Sequence, residues 1–356
     1  MSLKEENMGE KMKAILKKRP GPGLEMDLVD IPYPGPDEVL VKVRATSICG
    51  TDVHIYNWDH WAQSRIKPPL IIGHEFCGEV VEVGKNVKTL KVGDFISAES
   101  HIPDMTCPIC RRGQPHICQN LKIIGVDTNG SFAEYVVIPE ICAWKNSSDM
   151  DPAIASIQEP LGNAVYAVLA EPVSGKTVAI FGDGPAGNNA VAVAKAAGAG
   201  TIFQVGMNSY RLEIGRRMGA DFSINIAEGQ DPVKIILEKT EGIGVDVVLE
   251  MAGSPLALEQ GFAVLRRGGR LTAFGIPSEP VTLDWANAVI FKGARIIGIN
   301  GRLLWETWYQ MTELLNSGKL DPSPIITHKM PMDNFEEAFR LLTAPEKKVG
   351  KVVMFP

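Results

Sequence analysis

A two-domain α/β chain is the fold class that this sequence predicts, one domain a parallel sheet covered by helices and the other rich in β-strands. Three observations carry that expectation. The length of 356 residues suits two domains better than one. Residues 13–158 carry short apolar stretches set between Gly and Pro, whereas from residue 159 onward apolar strands alternate with helical stretches. Apolar residues at 45% and charged residues at 22% are ordinary globular usage, which excludes extended disorder.

In chain order, residues 1–10 are polar and charged and read as a loose tail. Stretches at 39–43, 78–83 and 132–137 read as strands of the β-rich domain, and 35 Gly with 24 Pro, spread along the chain, supply its turns. Beyond residue 159 come strands at 177–181, 201–205, 222–225, 245–251, 270–274 and 295–299. Helices at 188–199, 209–218, 233–238 and 256–265 separate the first five of them. Continuously apolar strands argue for a parallel sheet covered on both faces. A helix at 305–318 and a strand at 351–354 are expected to pack back on the first domain. The expected division is therefore 1–160, completed by about 305–356, and 161–304.

Lys plus Arg number 36 against 42 Asp plus Glu, a net charge of −6. Such a chain has no basic footprint for nucleic acid or an anionic membrane surface. No apolar run approaches the ~18 residues of a membrane span. The charged start lacks the apolar core of a signal peptide. A cytoplasmic protein acting on a small molecule is the expectation. Of six cysteines, three crowd into residues 107–118, which in a cytoplasmic chain suggests a metal before disulfides.

Gly182-Asp183-Gly184-Pro185-Ala186-Gly187 matches G-x-G-x-x-G between an expected strand and an expected helix. Glycines there allow a tight turn and the approach of a pyrophosphate, which a helix N-terminus stabilises. After the second strand such folds carry an acidic residue for the ribose hydroxyls, but here Gly206 stands, followed closely by Arg211. The missing carboxylate and the nearby cation make NADP a possible cofactor beside NAD.

Cys49, and 25 residues later His74, are ligand types that zinc accepts; the carboxylates Glu75 and Glu159 can complete its sphere. A zinc held by few protein ligands keeps a position for an alcohol oxygen and lowers its pKa. Cys49 as a small buried residue and His74 as a structural histidine are the alternatives taken singly. Cys107, Cys110 and Cys118, with Asp104 three residues upstream, can make a closed tetrahedral site. A redox Cys-x-x-Cys or three unliganded thiols are the other readings. Cys77 and Cys142 sit in apolar stretches and read as core.

The runs at 49–52, 73–75 and 182–187 resemble the zinc-containing medium-chain alcohol dehydrogenases, and the likeness extends from about residue 12 to 355. The resemblance implies a GroES-like catalytic domain, a Rossmann domain, a catalytic and a structural zinc, a nicotinamide cofactor and a homotetramer. Cys49, His74 and Glu75 match the catalytic zinc ligands. Glu159 matches a carboxylate that coordinates transiently or assists proton transfer. Thr51 and His54 match a proton relay, and His101 a histidine near the substrate. Gly182, Gly184, Ala186, Gly187, Gly206, Arg211, Phe274, Gly275, Ile276, Ile299 and Asn300 fall where the family meets its cofactor. The runs ATSICGTD (45–52), WAQSRIKPP (61–69), QEPLGNAV (158–165) and WETW (305–308) resemble the threonine-oxidising branch, which implies oxidation of the C3 hydroxyl of L-threonine. A polyol or vicinal-diol dehydrogenase is the first alternative, since fold and zinc do not choose the substrate. A non-catalytic dinucleotide-binding protein is the second. Three positions depart from the family: Asp104 replaces a cysteine, Gly206 an acid, and Asn188-Asn189 opens the first Rossmann helix where apolar residues are common.

Overall fold

Along the strand Glu38–Ser47 the side chains of Val41, Val43 and Ala45 are buried and those of Lys42 and Arg44 exposed, the alternation of a strand with one wet face. The computed structural model describes residues 9–346 and 348–356. Most of the expected loose tail, residues 1–8, lies outside the described residues. Gly9 and Glu10 lead directly into the strand Lys11–Lys17.

The chain divides into two units: residues up to 159 with 326–346 and 351–356, and residues 160–325 with 348–350. In the first unit Glu38–Ser47 is the spine of a seven-stranded sheet. Antiparallel to it run Glu75–Val83, Tyr135–Pro139 and the last strand, Lys351–Phe355. Val39, Val41, Val43, Phe76, Val80, Ile96 and Val136 interlock on its inner face. A three-stranded sheet of Glu25–Asp30, Lys11–Lys17 and Leu70–Ile71 completes this β-rich unit.

The second unit holds six parallel strands in the order Phe222–Asn225, Thr201–Gly206, Thr177–Phe181, Val245–Glu250, Leu265–Ala273, Arg295–Gly298. Helices such as Pro185–Ala196 and Ser209–Met218 cross between consecutive strands. This is the doubly wound sheet that the alternation predicts, and its order reverses beside Thr177–Phe181. Ligands of such sheets bind at the C-terminal strand ends near the reversal.

The return to the first unit comes later than the sequence suggests, at residue 326 instead of about 305. The helix Glu306–Asn316 stays with the second unit because Thr307, Trp308 and Met311 are buried there, and Gly162 packs against Arg302 and Thr307. Apolar burial decides which unit a helix joins, and periodicity alone does not name the partner.

Candidate active site and metal clusters

Antiparallel pairing assembles the first cluster. Register sets Ser47 opposite Glu75, so Cys49, just past one strand end, comes level with His74 and Glu75 at the start of the other. Cys49 caps the helix Gly50–Asn57, and its N–H donates to Asp52 Oδ2 at 2.8 Å. Gly73 turns His74 inward at φ +92; a Cβ there would strike the Phe132 ring at 2.2 Å, so only glycine fits. The ligand atoms of Cys49, His74 and Glu75 lie within 4.8 Å of one another.

Glu75 is fully buried and His74 nearly so, yet among the described residues Glu75 Oε1 and His74 Nδ1 have no hydrogen-bond partner. Burial pushes the His74 pKa down, but the charges of Cys49 and Asp52 outweigh it and hold it up to about 10. Burial also lifts Asp52 to about 6. A largely buried cluster with a thiol, an imidazole, an orphaned carboxylate oxygen and several negative charges suits a zinc ion, which accepts all three donor types.

The other Glu75 oxygen is taken. Ser47 Oγ and Lys351 Nζ both donate to Oε2, and Lys351 Nζ also donates to the Ile48 carbonyl at 2.9 Å. Lys351 is almost fully buried; burial disfavours its charge, but Glu75 and Cys49 more than restore it.

Glu159 stays outside the three-residue cluster, is buried, and accepts from Ser100 Oγ at 2.6 Å. Its charge helps to raise both His74 and Lys351. Thr51 Oγ1 lies 3.7 Å from Cys49 Sγ. His54, one turn further along the helix and on the same face, is exposed, with Nδ1 bonded to the Asp59 carboxylate. His101 is buried on the strand His101–Ile102, its N–H donating to Glu99 Oε1 at 2.9 Å.

Asp104, Cys107, Cys110 and Cys118 form the second cluster, again within 4.8 Å. The sulfurs of Cys107 and Cys118 are 3.8 Å apart. Backbone N–H groups of Cys110, Asn120 and Asp104 point at the sulfurs of Cys107 or Cys118 at 3.3–3.4 Å. Asp104 Oδ1 accepts from the N–H groups of Cys107 and Thr106 at 2.9 and 2.8 Å. These bonds, with one from Asn120, hold its carboxyl well below the usual range. Burial and the adjacent thiols push Cys110 up to about 12. Three sulfurs this close become anionic together only around a cation, so this set also fits zinc. Cys77 and Cys142 are fully buried apart from both clusters.

In the second unit, Gly182 adopts φ +134, and a Cβ on Gly187 would strike the Gly182 carbonyl oxygen at 2.1 Å. A Cβ on Gly184 would meet nothing within 4 Å, and Gly184 caps the helix Pro185–Ala196 without a side-chain bond. Ala186 lies in its first turn. Tight packing on one side and open space on the other is the cradle a pyrophosphate needs. Gly206, Phe274 to Ile276, Ile299 and Asn300 stand at or after the C-terminal ends of three other strands of the same sheet. Phe274 and Gly275 donate to the Glu250 carbonyl at 3.0 and 3.1 Å, and Ile276 is 91% exposed. Arg211 Nε is committed to the Val349 carbonyl at 2.9 Å. Asn188 has a structural reason: its Nδ2 donates to the carbonyls of Asp183 and Arg211, and its Oδ1 accepts from Gln204 Nε2. Nothing in the structure explains the buried side chain of Asn189.

Sequence reasoning assigned no role to Ser47, Asp52, Lys351, Asp183 or Glu250. Asp52 is the third residue of the helix that Cys49 caps, and no capping signal in the sequence marks it, because such signals open on Ser or Thr. The Lys351–Glu75 pair joins residues 276 apart, and no local pattern announces it. Glu250 is fully buried at a strand end, where its Oε1 accepts from the N–H groups of Ala252 and Gly253 at 2.9 and 2.8 Å and braces the following loop.

Residues 35–148 match the family described as "Alcohol dehydrogenase GroES-like domain", and residues 185–317 match "Zinc-binding dehydrogenase". The L-threonine 3-dehydrogenase of Pyrococcus horikoshii is 54% identical over 97% of this chain and 99% of its own. That of Thermococcus kodakarensis is 52% identical over 98% and 99%. Among solved structures, a zinc-binding dehydrogenase of Sinorhizobium meliloti bound to NADP superposes with a TM-score of 0.89 at 30% identity, covering 98% of this chain and all of the other. An alcohol dehydrogenase of Escherichia coli complexed with NADH does so at 0.89 and 28%, with the same coverage. The chain belongs to the zinc-containing alcohol dehydrogenase family, a GroES-like domain followed by a zinc-binding dehydrogenase domain.

Proposed function

We propose that this chain oxidises the C3 hydroxyl of L-threonine to a ketone, yielding 2-amino-3-oxobutanoate, with one catalytic and one structural zinc and NAD. The observation that carries the reading is the cluster of half-buried Cys49 with buried His74 and Glu75, in a chain half identical to L-threonine 3-dehydrogenases over nearly its whole length.

Zinc, when bound, supplies Lewis-acid polarisation of the alcohol, and the nicotinamide supplies the hydride acceptor. Cys49, His74 and Glu75 hold the first metal, with Lys351 and Ser47 fixing the carboxylate of Glu75. Asp104, Cys107, Cys110 and Cys118 hold the second and stiffen their loop. Thr51 relays the hydroxyl proton, passing on its own as it accepts the substrate's, towards solvent through the cofactor ribose, and exposed His54, anchored by Asp59, delivers it to water. Glu159, held by Ser100, assists at the metal, and His101 influences which alcohol is accepted. Gly182, Gly184, Ala186 and Gly187 cradle the pyrophosphate. Gly206, Arg211, Phe274, Gly275, Ile276, Ile299 and Asn300 line the rest of the cofactor's course.

A cytoplasmic homotetramer belongs to the same proposal. Among the described residues the strand Arg295–Gly298 is paired on one side only, and Trp285, Ile290, Phe291 and Ile296, within or shortly before it, are exposed. An apolar surface beside an open sheet edge suits contact with another copy. Light scattering is expected to give four times the 38.6 kDa chain mass.

The deciding experiment is initial-rate oxidation by the zinc-loaded protein of L-threonine, sorbitol and 2,3-butanediol. Threonine is expected to be turned over fastest. Faster turnover of either polyol would overturn the substrate, and silence with all three would overturn the catalytic reading.

A further inference from the structure

The corner at the end of the second Rossmann strand holds a carboxylate that the sequence does not place there. Strand Thr201–Gly206 ends in a residue with no side chain, where an acid is usual. A Cβ on Gly206 would come within 2.5 Å of both Cβ and Oδ2 of Asp183, so Asp183 fills the volume that this missing side chain leaves. Asp183 reaches that corner because Phe181 pairs in register with Val205, which sets residues 183 and 206–208 beside each other. The N–H groups of Met207 and Asn208 donate to Asp183 Oδ2 at 2.6 and 2.7 Å. Oδ1 takes no hydrogen bond among the described residues.

These contacts reverse the meaning of Gly206. Two backbone N–H groups that an extra phosphate would use are already satisfied by an anion. The cation nearest in sequence, Arg211, faces Asp183 electrostatically and is tied through Nε to Val349. A 2′-phosphate carries more than one negative charge near neutrality, and bringing it against a carboxylate is costly. A ribose with a free 2′-hydroxyl, by contrast, offers a donor to Oδ1.

We propose that Asp183, projecting from within the glycine loop, is the ribose-recognising carboxylate of this chain and excludes NADP in favour of NAD. Gly206 is then the space Asp183 needs. The proposal rests on the dinucleotide reading above and adds the specificity residue to it.

Fluorescence titration of the zinc-loaded full chain with NADH and NADPH tests it, with ADP-ribose and 2′-phospho-ADP-ribose repeated by calorimetry. The parent is expected to bind NADH at least about tenfold more tightly than NADPH. Asp183→Asn keeps the acceptor for Met207 and Asn208 but removes the charge, and is expected to narrow that ratio roughly tenfold, largely by improving NADPH. Asp183→Ser opens the same corner without an amide and should do likewise, so that loss of folding in one variant leaves the other to decide. Equal binding of the two cofactors by the parent, or an unchanged ratio in a folded variant, would overturn the role of Asp183. Failure of the parent to bind any of the four ligands would instead overturn the dinucleotide reading beneath it.

Discussion

The two donor clusters of the first unit are built in opposite ways. Asp104, Cys107, Cys110 and Cys118 come from a single loop, and backbone N–H groups of that same loop stabilise two of the sulfurs and the carboxylate. Cys49, His74 and Glu75 are brought together by strand pairing, and their charges are balanced by Lys351 from the end of the chain. The loop cluster offers four donors, enough for a closed tetrahedron; the other offers three, one short of it, as the proposed reaction centre requires. A site whose donors share one loop serves as a staple. A site spread over the fold depends on the whole unit being folded, which suits chemistry confined to the native state.

Perturbing each cluster separately tests that contrast. Cys49→Ser is expected to remove one zinc of two and to lower threonine turnover about a thousandfold or more, with the second zinc still found by metal analysis. Lys351→Met leaves Glu75 buried without its cation; a loss of about 3–5 kcal/mol in denaturant unfolding is expected, together with weaker retention of the catalytic metal under chelation. Cys110→Ser should do the reverse of Cys49→Ser, lowering Tm by about 5–10 °C while turnover per remaining zinc stays within a few-fold. If Cys110→Ser abolished turnover while leaving Tm unchanged, the division into staple and reaction centre would be wrong.

Asp104→Asn gives the smallest expected effect and reads the loop alone. The folded pKa of Asp104 is depressed, so its contribution to stability is present above the ordinary carboxylate value and is lost as pH falls through the folded value. Urea unfolding of chelator-treated protein should therefore separate parent from variant at pH 7. The two should converge as pH falls below about 4.

The loop cluster was legible in the sequence because its donors lie within fifteen residues and spacing alone sets their distances. The alternation of strands and helices past residue 176 was legible for the same reason: periodicity is local. Lys351 was not legible, since a lysine in an apolar strand reads the same whether it faces water or a carboxylate. The helix Glu306–Asn316 showed its apolar face in sequence, but which unit that face would meet depended on Gly162 and its neighbours.

Gly206 shows the same limit at atomic scale. Sequence order placed a glycine where an acid was expected and suggested tolerance of a phosphate. The parallel register then carried Asp183 into the vacant corner. Local periodicity and spacing determined the parallel sheet, the β-rich unit, the glycine loop and the residues of the loop cluster, because each is a short-range property of the chain; the set Cys49, His74 and Glu75 came from the family resemblance, and strand pairing brings it together. Tertiary structure decided which carboxylate meets which cation and where the chain returns to its first unit. Those are distances between residues far apart in sequence, and only the packed sheets set them.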